Sequence, residues 1–161
     1  MSQIDRLHLD VARQELSGFA GSRELLRYPV STAKLGLGCG EGSFQTPHGA
    51  HRVRLKIGAA CPPGAIFRGR RWTGEVLDEA LRCRFPNTDW VLTRILWLQG
   101  LERGVNRGGV VDTLRRFVYI HGTHEEDLVG RPVSYGCIRM RNTDIAVLFD
   151  RVTTGCPMRI E

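Results

Sequence analysis

Residues 119–142, YIHGTHEEDLVGRPVSYGCIRMRN, decide how this 161-residue chain is read. The apolar run 117–120 predicts a short strand that leads directly into His121. Sixteen residues further on, Cys137 follows a glycine in Ser134-Tyr135-Gly136-Cys137. Thiol catalysis needs a thiolate, a base to generate it, and N–H donors for the oxyanion of the tetrahedral intermediate. His121 suits the base, because imidazole titrates near neutrality. Gly136 has no Cβ to hold a substrate carbonyl away from the backbone. The amides of Gly136 and Cys137 are therefore expected to face the developing oxyanion. Arg139 sets a fixed positive charge two residues from the sulfur, which favours thiolate and attracts a carboxylate. A bare Cys/His pair is more often a buried thiol and a satisfied imidazole. Glycines beside both residues and a nearby arginine favour chemistry, since core residues do not need such loops.

Working outward, the hydrophobic pattern is mainly that of strands. Leu7, Leu9 and Val11 alternate with polar residues. Ser17-Gly18 and Gly21-Ser22 offer turns, and 24–30 reads as the returning strand, placed near an edge by Pro29. Residues 36–43, GLGCGEGS, match neither phosphate-loop pattern and read as a flexible or substrate-lining loop. Val53, Leu55 and Ile57 alternate with Arg52, Arg54 and Lys56, a half-buried strand with a basic outer face. Residues 58–71 read as loop around Pro62-Pro63-Gly64, and 75–82 as a short helix. Residues 90–98, WVLTRILWL, predict a buried strand that takes Trp90 and Trp97 into the core. Asn142-Thr143-Asp144 is a helix start, and Ile145, Leu148, Phe149 and Val152 form one apolar face behind it. Gly155 and Pro157 end that helix, and 158–160 is a last strand. The expectation is one mostly-β domain over 1–161 with one clear C-terminal helix.

Composition narrows the function. Hydrophobic residues make up 42% of the chain, enough for a sizeable core. The longest apolar run, 145–149, is far below the roughly 20 residues a membrane span requires. The formal net charge is +6 and nearly all of the excess is arginine. A basic balance admits an anionic glycan or nucleic acid as partner, but the charges are spread along the chain with no reading motif, so dedicated nucleic-acid binding is not expected. Five cysteines with no C-x-x-C give neither a disulfide framework nor a zinc ribbon. His48/His51 and His121/His124 lack the helical context of a zinc site, so no metal is expected. Glu125-Glu126-Asp127 reads as a solvated acidic loop face near the proposed site.

The same residues carry a family resemblance. His121-Gly122-Thr123, Gly130-Arg131-Pro132, Ser134, Gly136-Cys137-Ile138-Arg139-Met140, Asn142 and Asp144 resemble the catalytic motif of the L,D-transpeptidase (YkuD-type) family. Val30-Ser31-Thr32, the glycine-rich stretch, Thr46-Pro47-x-Gly49 and Leu92-Thr93-Arg94-Ile95-Leu96 are also similar to family segments, so the resemblance spans nearly the whole chain. It implies a β-sandwich-like domain without metal or organic cofactor. It implies Cys137 as nucleophile and His121 as base, with the Gly122 carbonyl orienting the imidazole. Arg139, Tyr135 and Ser134 would face substrate, Arg139 through a carboxylate or by shaping the pocket. The implied substrate is a murein stem tetrapeptide, attacked at the L,D bond before its terminal D-alanine. The acyl group then passes to an amine, which is cross-linking, or to water, which is L,D-carboxypeptidase activity. Cross-linking requires export and the chain shows no leader, so the reading favours water and a cytoplasmic, recycling role. A start further upstream would instead make the protein periplasmic or wall-associated. The family usually has histidine where this chain has Tyr135. A phenol with a reference pKa of about 10 cannot replace it as a base at neutral pH. His124 is the conceivable substitute. The competing reading is a non-catalytic module for an anionic glycan or nucleic acid. A papain-like hydrolase is excluded, because there the cysteine precedes the histidine.

Overall fold

A computed structural model describes residues 2–161. Ten strands form one continuous, branched sheet: β1 (Arg6–Asp10), β2 (Glu15–Ala20), β3 (Arg23–Pro29), β4 (Gly49–Ile57), β5 (Ala65–Arg68), β6 (Arg71–Val76), β7 (Val91–Gly100), β8 (Tyr119–Gly122), β9 (Ile138–Met140) and β10 (Pro157–Ile160). Two helices accompany them, α1 (Glu79–Arg84) and α2 (Asn142–Arg151). The main path runs β3-β2-β1-β10-β4-β7-β5-β6. The branch leaves at β7, which also pairs antiparallel with β8, and β8 in turn pairs parallel with β9. The chain is mostly β, as expected.

The two ends of the chain close on each other. β1 lies parallel to β10, with Leu7 opposite Met158 and Leu9 opposite Ile160. All four are buried in the main core, with Leu96, Leu98, Ile120, Ile138 and Met140 from the centre of the sheet. α2 covers this core through Ile145, Leu148 and Phe149, the face read from its periodicity. Each such side chain contributes about 1.5–3 kcal/mol on burial.

Four local expectations are corrected. Ser17-Gly18 is not a turn but the middle of β2, and the reversal falls at Gly21-Ser22. Residues 65–68 are a strand inside the stretch read as loop, with Ile66 opposite Leu92 and Phe67 opposite Val91. The short helix begins at Glu79, capped by the Asp78 carboxylate on the Leu81 N–H at 2.8 Å, while 71–76 is strand β6. β4 does not keep its basic outer face. A bulge between Val53 and Leu55 breaks the alternation, so Leu55 is exposed and Lys56 turns toward α2. The Lys56 ammonium donates to the Val152 carbonyl at 2.7 Å and lies 4.4 Å from the Phe149 ring centroid.

Candidate active site

Strand alternation assembles the site. In the β8–β9 pair, Ile120 lies opposite Ile138 and His121 opposite Arg139. Successive side chains point to opposite faces of a sheet. Ile120, Ile138 and Met140 enter the main core. Tyr119, His121, Arg139 and Cys137, which immediately precedes β9, therefore share the other face. Cys137 packs there against the cluster that contains Tyr119 and Ile95.

The Cys137 sulfur accepts the Tyr119 N–H at 3.4 Å and faces the Phe117 carbonyl at 3.5 Å. Burial pushes the thiol up to about 11, opposed by the Tyr119 N–H and by the Arg139 and Arg116 charges, while Asp89 adds to the rise. His121 is 1% exposed, and its Nδ1 lies 2.7 Å from the Gly122 carbonyl. A carbonyl only accepts, so Nδ1 carries the proton and Nε2 keeps the lone pair. Burial also lowers the pKa of His121. Burial thus favours the neutral form of both the thiol and the imidazole.

Packing forces the glycine at 122. A Cβ there would come 2.2 Å from Asn142 Oδ1 and 2.8 Å from the Leu92 carbonyl. Asn142, at the start of α2, donates from Nδ2 to the Thr123 carbonyl at 2.8 Å and accepts the Thr93 hydroxyl on Oδ1. Helix, β7 and the end of β8 thus lock the carbonyl that orients His121.

The loop that carries Cys137 is held from three sides. The Ser134 hydroxyl donates to the Cys137 carbonyl at 2.6 Å and accepts the Gly136 N–H at 3.2 Å. The Thr46 hydroxyl donates to the Gly136 carbonyl at 2.9 Å. Residues 31–34 bond to 134–139, through Ser31 with Arg139 and Lys34 with Ser134. The N-terminal segments picked out in the sequence therefore converge on Cys137. Gly136 has φ +133°, which disfavours any residue with a Cβ. Of the two amides expected to face the oxyanion, that of Gly136 is engaged by Ser134. The Cys137 N–H donates to no protein group among the described residues.

Arg139 is 3% exposed and bonded to carboxylates: Nη2 to Asp89 at 2.9 Å and Nη1 to Glu125 at 3.4 Å. The Tyr135 ring, on an exposed residue, lies 5.5 Å from its guanidinium. Sequence reading missed several participants. Arg116, half-buried, donates to the Gly38 and Gln45 carbonyls at 3.2 and 2.6 Å and to Ser43 Oγ at 3.2 Å. It ties the glycine-rich loop to the site and places its charge near Cys137. Asp89, Tyr119 and the Phe117 carbonyl were also missed. None has a local signature, because each acts through a tertiary contact. His124 is mostly buried beside Glu125, and burial lowers its pKa. The other histidine pair is not brought to the site. His51 is fully buried between the Gly49 carbonyl at 3.0 Å and the Thr113 hydroxyl at 2.9 Å. Trp90 is buried, Trp97 half-buried and Trp72 exposed. Among the described residues no cluster of three His, Cys, Asp or Glu could hold a metal ion, and no helix is long and apolar enough to cross a membrane.

The YkuD L,D-transpeptidase catalytic domain family matches residues 4–160, and the chain belongs to that family. A probable L,D-transpeptidase ErfK/SrfK of Salmonella typhimurium is 49% identical over 45 residues, which is 28% of this chain and 15% of that protein. An L,D-transpeptidase structure from Mycobacterium smegmatis superposes with a TM-score of 0.56 at 19% identity, covering 96% of this chain and 57% of that one. The Enterococcus faecium L,D-transpeptidase C442S mutant gives a TM-score of 0.58 at 15% identity, covering 99% and 50%. The chain therefore spans about half the length of these solved chains and a much smaller share of the curated relative. At such identities the structures establish the shared fold.

Proposed function

We propose that the chain is a cysteine acyltransferase acting on murein stem tetrapeptides at the L,D bond before the terminal D-alanine. The observation that carries this reading is the His121 imidazole. It is fixed through Nδ1 on the Gly122 carbonyl, with its Nε2 lone pair on the same sheet face as the Cys137 thiol. Sulfur attacks the scissile carbonyl and an S–C bond forms. The thiol proton passes to His121 Nε2, and the oxygen takes up negative charge against the free Cys137 N–H. The intermediate collapses with cleavage of the C–N bond, and His121 returns the proton to the departing D-alanine amine. A thioester on Cys137 remains. Water or an amine then adds to it, the C–S bond breaks, and the acceptor's proton reaches the sulfur through His121. Water yields a tripeptide, the L,D-carboxypeptidase outcome; an amine yields a cross-link or an exchanged terminus.

Arg139 supports the site through its ion pairs with Asp89 and Glu125, and Ser134 by bracing the nucleophile loop. Tyr135 stands exposed beside the Arg139 guanidinium. The test is mass spectrometry of the protein incubated with a murein tetrapeptide, beside Cys137→Ala. Tripeptide and free D-alanine, both lost in the variant, are expected. Turnover that survives Cys137→Ala overturns the nucleophile assignment, and no turnover with a thiol probe failing to label Cys137 overturns the enzyme reading and leaves a binding module.

A further inference from the structure

Thr93 holds a backbone conformation that its own side chain opposes. It lies inside β7 with φ +73°, in the left-handed region, and is fully buried. A β-branched residue is a genuine outlier there, and glycine is the residue that fits. The cause is a bulge. Leu92 lies opposite Gly122 and Ile95 opposite His121, so Thr93 and Arg94 are two extra residues set against the His121–Gly122 peptide. What threonine adds at such a position is its hydroxyl. The oxygen accepts the Gly64 N–H at 3.0 Å, which leaves the hydroxyl proton for Asn142 Oδ1. With Oδ1 turned toward Thr93, the Asn142 amide nitrogen faces the Thr123 carbonyl at 2.8 Å. The Thr123 N–H donates to the Met140 carbonyl at 3.1 Å. The other end of that same planar peptide is the Gly122 carbonyl, which receives His121 Nδ1 at 2.7 Å. The hydroxyl thus stands at the head of a directed chain of contacts that ends at the imidazole.

We propose that Thr93 is a positioning residue for His121: its hydroxyl fixes the direction of the Asn142 amide, and the pinned Gly122–Thr123 backbone then keeps Nδ1 of the imidazole protonated and Nε2 free to take a proton. Strain held beside a functional group marks a position kept for what its side chain does. The hydroxyl is required and the methyl is not, so serine serves and valine does not. Loss of the hydroxyl leaves the buried Gly64 N–H and Asn142 Oδ1 without their shared partner. The amide can then turn, and with its oxygen toward the Thr123 carbonyl it repels that group instead of holding it. The Gly122 carbonyl loses its fixed aim. The Nε2-protonated tautomer, which cannot accept the thiol proton, then gains population. The inference rests on the acyl-transfer reading above, but its structural readout needs no turnover.

The test compares Thr93→Ser, Thr93→Val and Thr93→Gly with wild type. Heteronuclear NMR of histidine-labelled protein reads the tautomer of His121, assigned by the resonance lost in His121→Ala. Mass spectrometry follows acylation by a murein tetrapeptide. Wild type and Thr93→Ser are expected to show Nδ1-protonated His121 and equal acylation rates. Thr93→Val and Thr93→Gly are expected to show mixed tautomers and acylation about tenfold slower, the cost of one buried hydrogen bond, with an unchanged half-saturating tetrapeptide concentration. Thr93→Gly relieves the backbone, so its urea midpoint should not fall below that of Thr93→Val. Acylation then follows the hydroxyl while stability follows the backbone. A wild-type tautomer in both hydroxyl-free variants, or acylation that tracks the urea midpoint in place of the tautomer, overturns the proposal. Absence of acylation in wild type would overturn the acyl-transfer reading, and the tautomer comparison would still decide the role of Thr93.

Discussion

His51 makes the fold acid-sensitive in a way that can be calculated. The side chain is fully buried, with Nδ1 toward the Gly49 carbonyl and Nε2 toward the Thr113 hydroxyl. Burial lowers its pKa from 6.5 to about 4. The unfolded chain therefore binds a proton in this window that the folded chain does not. Stability is full above about pH 6.5, falls as the pH drops, and levels off below about pH 4. The 2.5-unit difference corresponds to about 3 kcal/mol. His121 and His124 are shifted in the same direction by burial and add to the slope, so the comparison must isolate His51. Urea unfolding at pH 7 and pH 4 is the assay, run on wild type and His51→Gln. Glutamine retains a partner for Thr113 but cannot titrate. The variant is expected to be the less stable at pH 7, with its deficit shrinking by about 3 kcal/mol at pH 4. Equal pH slopes for the two proteins would refute the argument. Thr113 anchors the segment that carries Arg116 and Phe117 to Cys137, so acid should also slow acylation.

Three further outcomes are expected. Gly122→Ala drives a Cβ into Asn142 Oδ1 and the Leu92 carbonyl. It should cost about 3 kcal/mol in chemical denaturation, from overpacking and disturbed Asn142 hydrogen bonds, and should slow acylation more than any surface substitution. With burial holding the thiol at about 11, site-resolved alkylation of Cys137 by iodoacetamide should climb steadily from pH 7 to pH 10. A plateau beginning below pH 8 would reveal a preformed ion pair with His121. Arg116→Ala removes the donor shared by Gly38, Ser43 and Gln45 and a positive charge near the sulfur. It should cost about 2 kcal/mol, after allowance for its half-exposed position, and slow Cys137 alkylation at fixed pH.

What the sequence revealed follows from the range of each interaction. Alternation exposes β1 and the apolar run exposes β7, because those signals are local. The apolar face of α2 is local too. β6 is exposed along its whole length and carries no alternation to read. β9 has three residues and exists through its pairing with β8 and Ser31. Gly18 resembles a turn residue, but it is a strand glycine because a Cβ there would meet Ile4 Cδ1 at 2.7 Å. At the site, His121 and Cys137 are legible from their flanking glycines. Arg116 and Asp89 are not, since only folding brings them to the sulfur. Arg139 shows the limit most clearly. Its charge is plain in sequence, but its engagement by Asp89, 50 residues upstream, is not.

The central claim is a thioester on Cys137, and trapping it is the most direct test. The protein is incubated briefly with a murein tetrapeptide, quenched in acid and digested, and the peptide containing Cys137 is weighed. The expected mass gain is that of the stem peptide less its terminal D-alanine, absent from Cys137→Ala and strongly reduced in His121→Ala. An adduct on another residue, or none on wild type while Cys137 remains accessible to a thiol probe, would contradict the account.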